Sequence, residues 1–189
     1  MKTLLLALRM FVALTLLTGA IYPLAVTGMV QLLFAKQSRG SLVERDGQIV
    51  GSARLAQNFT NAAYFWPRPS AGDFATVPSG ASNQGPTSAD LKRAVAARAQ
   101  HWRTALHLPP TALVPADLLL ASGSGLDPDI SPAAARFQID RVAQARHFTP
   151  DQQRRLARLV EQRIEPPQLG FLGEPRVNVL LLNLALDSL

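Results

Sequence analysis

Residues 122 to 125 read Ser-Gly-Ser-Gly, a composition that could wrap a phosphate. A P-loop, however, also needs a Lys for the phosphates and a Ser or Thr for the metal. No Gly-Lys-Ser/Thr occurs in the chain, and neither Gly123 nor Gly125 is followed by a third Gly three residues on. The plainer reading is a turn leading into a helix that starts at Ser131. Asp127 and Asp129 are spaced like calcium-loop ligands, but the further oxygen ligands, the turn Gly and the closing Glu are missing. They read as turn and helix-entry residues. His101, His107 and His147 are the only imidazoles, and none has a neighbour at metal-ligand spacing. A Ser–His–Asp triad converges from anywhere in a chain, so spacing leaves one open. The Gly-x-Ser-x-Gly elbow is nonetheless absent, because Gly123-Ser124-Gly125 is too short for it.

Two further clusters stand out. Tyr64-Phe65-Trp66 precedes Pro67-Arg68-Pro69. Such aromatics form either a satellite core under a loop or a partner-binding face. Arg154, Arg155, Arg158 and Arg163 mark the outward side of one helix, which ordinarily is just solvated.

The elements that must position these residues follow from local signals. Leu42 to Val50 reads as two short strands around Asp46-Gly47, a type I′ hairpin signal. Residues 66 to 87 are rich in Pro, Gly and Ser and form a long loop. Thr87-Ser88-Ala89-Asp90 opens a helix whose apolar stripe is Leu91, Val95, Trp102 and Leu106, and Pro109-Pro110 ends it. A short helix follows Pro115. Ser131-Pro132 opens a helix expected to run to about Arg146. Thr149-Pro150-Asp151-Gln152 carries capping-box logic, with Leu156, Val160 and Ile164 as the buried stripe. Val177 to Leu186 is apolar without a breaker and is read as a buried strand. The expected fold is α+β.

That domain, residues 40 to 189, hangs from a membrane segment. Residues 10 to 35 carry no charged side chain, whereas about 20 residues of helix cross the hydrocarbon core. Residues 1 to 9 are expected to form a short tail. Thr18-Gly19-Ala20 resembles a signal-peptide cleavage site, but the apolar run continues to Phe34, so an uncleaved span is the reading. Basic residues flank both ends, so the charge rule for orientation is close to a tie. Lys2, Arg9, Lys36 and Arg39 supply most of the formal net charge of +6 in these 189 residues. The basic balance therefore points to lipid headgroups and away from nucleic acid, for which no recognition module is present. The absence of Cys removes thiolate and disulfide chemistry.

The order of motifs says more than any one of them. Gln57-Asn58-Phe59, Tyr64-Phe65-Trp66-Pro67-Arg68-Pro69-Ser70 and Ser79-Gly80-Ala81-Ser82-Asn83-Gln84-Gly85-Pro86 follow the apolar span. Ala121 to Pro128, Ile130-Ser131-Pro132, and Gln138 with Arg141-Val142-Ala143 and Arg146 come next. Arg176-Val177-Asn178-Val179-Leu180 and Leu182-Asn183-Leu184-Ala185-Leu186-Asp187 close the chain. This set resembles the KdpC family, the C chains of potassium-transporting Kdp ATPases. The resemblance implies a single-pass, non-catalytic accessory subunit of a bacterial inner-membrane potassium uptake complex. Its partners would be a channel-like potassium-binding subunit, a P-type ATPase subunit and the bilayer. It implies a role in assembly and in raising the pump subunit's ATP affinity. Nucleotide contact, with ATP held jointly with the pump subunit, would fall to Gln138 and to Ser122, Gly123, Ser124 and Gly125. Partner contact would fall to Phe65, Trp66, Arg68, Ser82, Asn83, Asp127, Arg141, Asn178 and Asn183.

Two departures qualify the carry-over. Ala81 replaces a second Gly in the family's Ser-Gly-Gly-Ser-Asn loop, and Asp129 stands where relatives often have His. Topology also bears on it: a cytoplasmic amino end would put the domain outside, away from ATP. The outside placement is the expectation. A membrane-tethered enzyme, with Ser122 or Ser124 as nucleophile and a distant His as base, is the alternative.

Overall fold

A computed structural model describes residues 1–189. The chain divides into two compact units, Met1–Leu42 and Val43–Leu189.

In the first unit, α1 (Lys2–Leu16), a wider π turn (Leu17–Ile21) and α2 (Tyr22–Leu33) run on as one helix of 32 residues. At 1.5 Å per residue this is about 48 Å, longer than the ~30 Å hydrocarbon core. No residue in it is buried, and it is long and apolar enough to cross a membrane. The widened turn has a cause in the sequence. Pro23 offers no N–H, and its ring crowds the carbonyl of Gly19, four residues back; a π turn relieves that crowding. The stretch expected as a tail, residues 1 to 9, is helical from Lys2. Phe34 leaves the helical region, and a single turn, α3 (Ala35–Ser38), follows.

The second unit is α+β. Strands β1 (Leu42–Arg45) and β2 (Gln48–Ser52) form the expected hairpin. Asp46 (φ 52°) and Gly47 (φ 76°) supply the two consecutive left-handed residues that a type I′ turn demands. Irregular backbone then runs to α4 (Ala89–Ala105), where the Ser88 hydroxyl accepts from the Leu91 N–H. A 3₁₀ turn (Ala116–Leu118) and β3 (Asp129–Ile130) follow. Next come α5 (Pro132–Phe137), α6 (Ile139–Ala145) and α7 (Pro150–Gln162). Ser131 caps α5, and Thr149 with Gln152 makes a full capping box on α7. Short β4 (Val177–Asn178) pairs antiparallel with β3, Asp129 opposite Asn178 and Ile130 opposite Val177.

Two expectations are corrected here. The Ser131 helix does not run through to Arg146; it breaks at Gln138, whose side chain is engaged elsewhere. The run from Val177 to Leu186 is a strand for only two residues and then α8 (Val179–Leu186). Asn178 switches the backbone: its side-chain oxygen accepts from the Leu181 N–H and caps the new helix.

The core is formed by Phe65, Trp102, Leu118, Ile130, Val142, Leu156, Val160, Val177, Leu182 and Leu186 with smaller neighbours. Helix α7 packs against α5, α6 and α8, burying Leu156 and Val160 completely. Phe65 sits in this main core and Tyr64 and Trp66 pack against it, so the aromatic cluster is no satellite.

Candidate functional site

At the edge of the core lies an irregular segment, residues 62 to 66, gripped by side chains. In extended backbone, successive residues turn their N–H and C=O to opposite sides. Two amide side chains use this. Asn183 of α8 accepts from the Phe65 N–H (2.8 Å) and donates to its C=O (3.0 Å). Gln138, at the break between α5 and α6, does the same for Trp66, at 2.7 and 3.0 Å. Each amide does for its residue what a neighbouring strand would do in a sheet.

The carbonyls before them are taken by arginines. Arg141 donates to the C=O of Ala62 (2.7 Å) and Tyr64 (2.9 Å), and to the Gln138 Oε1 (2.7 Å). Its guanidinium carbon lies 3.8 Å from the Trp66 ring centre. Arg141 is 4% exposed and has no carboxylate partner, and burial pulls its pKa down from the ordinary value to about 10. Carbonyl dipoles and the indole face therefore stand in for a counter-charge. Arg146 donates to the Ala63 C=O (2.8 Å) and to Asp187 (2.7 Å). Asp187 also accepts from Arg45 and from the Tyr64 hydroxyl. Burial pushes the Asp187 carboxyl up, but the hydrogen bonds from Arg146, Arg45 and Tyr64 outweigh it and hold the pKa below the ordinary value.

The residues assigned to partner or nucleotide contact lie at different depths. Phe65, Arg141 and Asn183 are buried and bonded within the chain. Asn178 is buried too, donating to the Ala53 C=O and to Asp129. Gln138 has no exposed surface, and both of its amide atoms are bonded to the Trp66 main chain. As folded, it does not fit a nucleotide-contacting role.

The Ser122–Gly125 loop fits a nucleotide no better. The Ser122 N–H bonds the Pro69 C=O, the Gly125 N–H bonds the Ser122 C=O, and the Leu126 N–H bonds the Ser124 hydroxyl. The loop leads to β3 and not directly into a helix N-terminus. Gly125 has φ +70° and packs so closely that a Cβ there would lie 2.9 Å from the Gly80 carbonyl oxygen. Its glycine is thus explained by turn and packing. Gly123 and Ser124 are exposed, and with Ser122, Arg54 and Asp127 they line a shallow cleft that Gln138 does not reach.

The other assigned residues are nearer the surface. Trp66 is half-buried, tilted 5.0 Å from Trp102 and stacked 5.3 Å from His101. It lines a groove with Phe59, Phe74, Arg68 and His101. Arg68 pairs with Asp127 at 2.8 Å. Ser82 and Asn83 are exposed on the long loop. Asn83 carries the left-handed backbone there (φ 53°), so the strained position is not at Ala81. Asp129 bonds Asn178 and pairs with Arg176. Its pKa is raised by burial and by Asp127, which Arg176 and Asn178 only partly offset.

The Arg146–Asp187–Arg45 cluster was not legible as a site. Its members lie 41 and 142 residues apart, and no local spacing announces them.

Comparison with known proteins gives a consistent result. A family model described as K+-transporting ATPase, c chain (KdpC) matches residues 4–188. The potassium-transporting ATPase KdpC subunit of Rhodospirillum rubrum is 57% identical over all of this chain and 96% of its own length. That of Mycobacterium bovis is 52% identical over all of this chain and 99% of its own. A third, from Gemmatimonas aurantiaca, is 52% identical over 97% of this chain and 91% of its own.

Proposed function

The chain belongs to the KdpC family of K+-transporting ATPase c chains, and from that premise we propose that it is a non-catalytic subunit that holds a potassium uptake complex together. The match over residues 4–188 carries this reading, because it spans the apolar helix and the whole folded domain. Helix Lys2–Leu33 anchors the chain in the bacterial inner membrane as a single span, and the domain lies on the outer side. There it meets the channel-like potassium-binding subunit and the P-type pump subunit. The polar side chains that could have done chemistry beside the core instead fix the domain's own main chain, which suits a rigid scaffold.

On this reading any rise in the pump subunit's ATP affinity is transmitted through the assembled complex. The buried Gln138 makes no direct contact with nucleotide. The test is to measure ATP hydrolysis against ATP concentration for the complex containing this chain, for the pump subunit purified without it, and for the chain alone. The expected result is a lower apparent KM with the chain present and no hydrolysis by the chain alone. Hydrolysis by the isolated chain would reject the non-catalytic role. An unchanged KM in an intact complex would reject the effect on affinity.

A further inference from the structure

Residues 165 to 176 form a small β-hairpin that the core does not need. Glu165 and Arg176 exchange both backbone hydrogen bonds, at 2.8 and 3.0 Å. Gln168 and Leu172 do the same, at 2.9 and 2.8 Å. The base is fixed: the Arg176 side chain pairs with Glu165 at 2.8 Å and with Asp129 of β3 at 3.2 Å. The tip is Leu169-Gly170, with φ of 54° and 83°, closed by a bond from the Phe171 N–H to the Gln168 C=O.

The chemistry of the tip is the reverse of what such a turn favours. The first left-handed position ordinarily takes Asn, Asp or Gly, and here it holds Leu. Leu169 is 82% exposed, Phe171 75% and Leu172 48%. Strain and exposure thus coincide on one protruding apolar knob, which is where an observed outlier points to function.

Resting on the subunit reading above, we propose that this knob plugs into an apolar socket on another subunit of the complex, with a basic side chain at the socket rim facing Glu174. Three observations select that occupant. The tip residues Pro167 to Gly173 contain no Lys, Arg, Trp or Tyr, the residues that hold a segment at lipid headgroups. Glu174 beside them is exposed and has no ion pair, so the charge it offers suits a basic rim and not an anionic bilayer. Three side chains cover at most a few hundred Å², well under the roughly 1,000 Å² of a stable interface. That rules out a self-sufficient dimer contact and fits one anchoring point within a larger interface.

The test uses the full-length chain, co-expressed with the other subunits and captured in detergent by a carboxyl-terminal tag. Leu169→Asn with Phe171→Ser removes the knob, and Asn suits the left-handed backbone better than Leu. The purified double variant should therefore melt no lower than wild type, while co-capture of partner subunits falls at least tenfold. Glu174→Lys alone should lower capture. The chain has no Cys, so Phe171→Cys with an environment-sensitive thiol dye gives a single reporter. Its emission should shift to the blue on assembly and stay unchanged when the chain alone is placed in zwitterionic vesicles. Undiminished capture by the double variant, or a blue shift in vesicles alone, overturns the proposal while leaving the subunit reading intact. If wild type captures no partner, the subunit reading fails and the knob proposal falls with it.

Discussion

Removing the Gln138 amide leaves the Trp66 N–H and C=O without partners at the edge of the core, and takes one of the acceptors from Arg141. Orphaned groups of this kind cost about 1–3 kcal/mol each. Gln138→Ala is expected to destabilise the domain by about 2–4 kcal/mol in a denaturant titration. Asn183→Ala should do the same through Phe65. If either variant were as stable as wild type, the clamp would be incidental. Asp187 gives a pH signature. Its folded pKa lies below the ordinary carboxylate value, so its contribution is present above the unfolded pKa. That contribution is lost as pH falls through the folded value. Asp129 has a raised pKa and works oppositely, favouring the fold below its folded value. Asp187→Asn should therefore flatten the acid limb of the stability profile, and Asp129→Asn should not. Gln138 and Asn183 were visible in the sequence only as members of a family pattern. Their partners lie 72 and 118 residues away, and separation of that order leaves no local trace.

Among the elements, those with their own punctuation could be read directly. Asp46-Gly47, the Ser88 and Ser131 caps and the Thr149–Gln152 box all lie within four residues of what they stabilise. Thr149→Ala is expected to cost about 1 kcal/mol, the usual value for a lost cap, as measured by thermal unfolding. The misread elements obey other rules. No Pro or Gly marks the break at Gln138, because a tertiary bond to Trp66 imposes it. The strand expected over Val177–Leu186 failed for a reason that was in the sequence. After Val179 the run holds Leu, Ala and Asn183 and no β-branched residue, and Asn178 stands at the cap position. Asn178→Ala should cost about 1–3 kcal/mol, since it uncaps α8 and releases the Ala53 carbonyl.

For the whole molecule, the apolar helix, the α+β domain and the family were all open to sequence reasoning, because composition and motif order survive without knowledge of contacts. The division of polar residues between surface and interior was not, since Gln, Asn and Arg serve equally well as ligands or as internal clamps. A reporter fused to the carboxyl end should signal the outer side of the membrane, and a cytoplasmic signal would reverse the proposed topology. The role as an assembly subunit is tested most directly by deleting this chain from cells that carry the remaining subunits. One would then measure, at limiting potassium, how much channel-like subunit is recovered with a tagged pump subunit. Recovery should collapse without the chain and return when it is supplied in trans. Full recovery and normal potassium-limited growth in its absence would contradict the role.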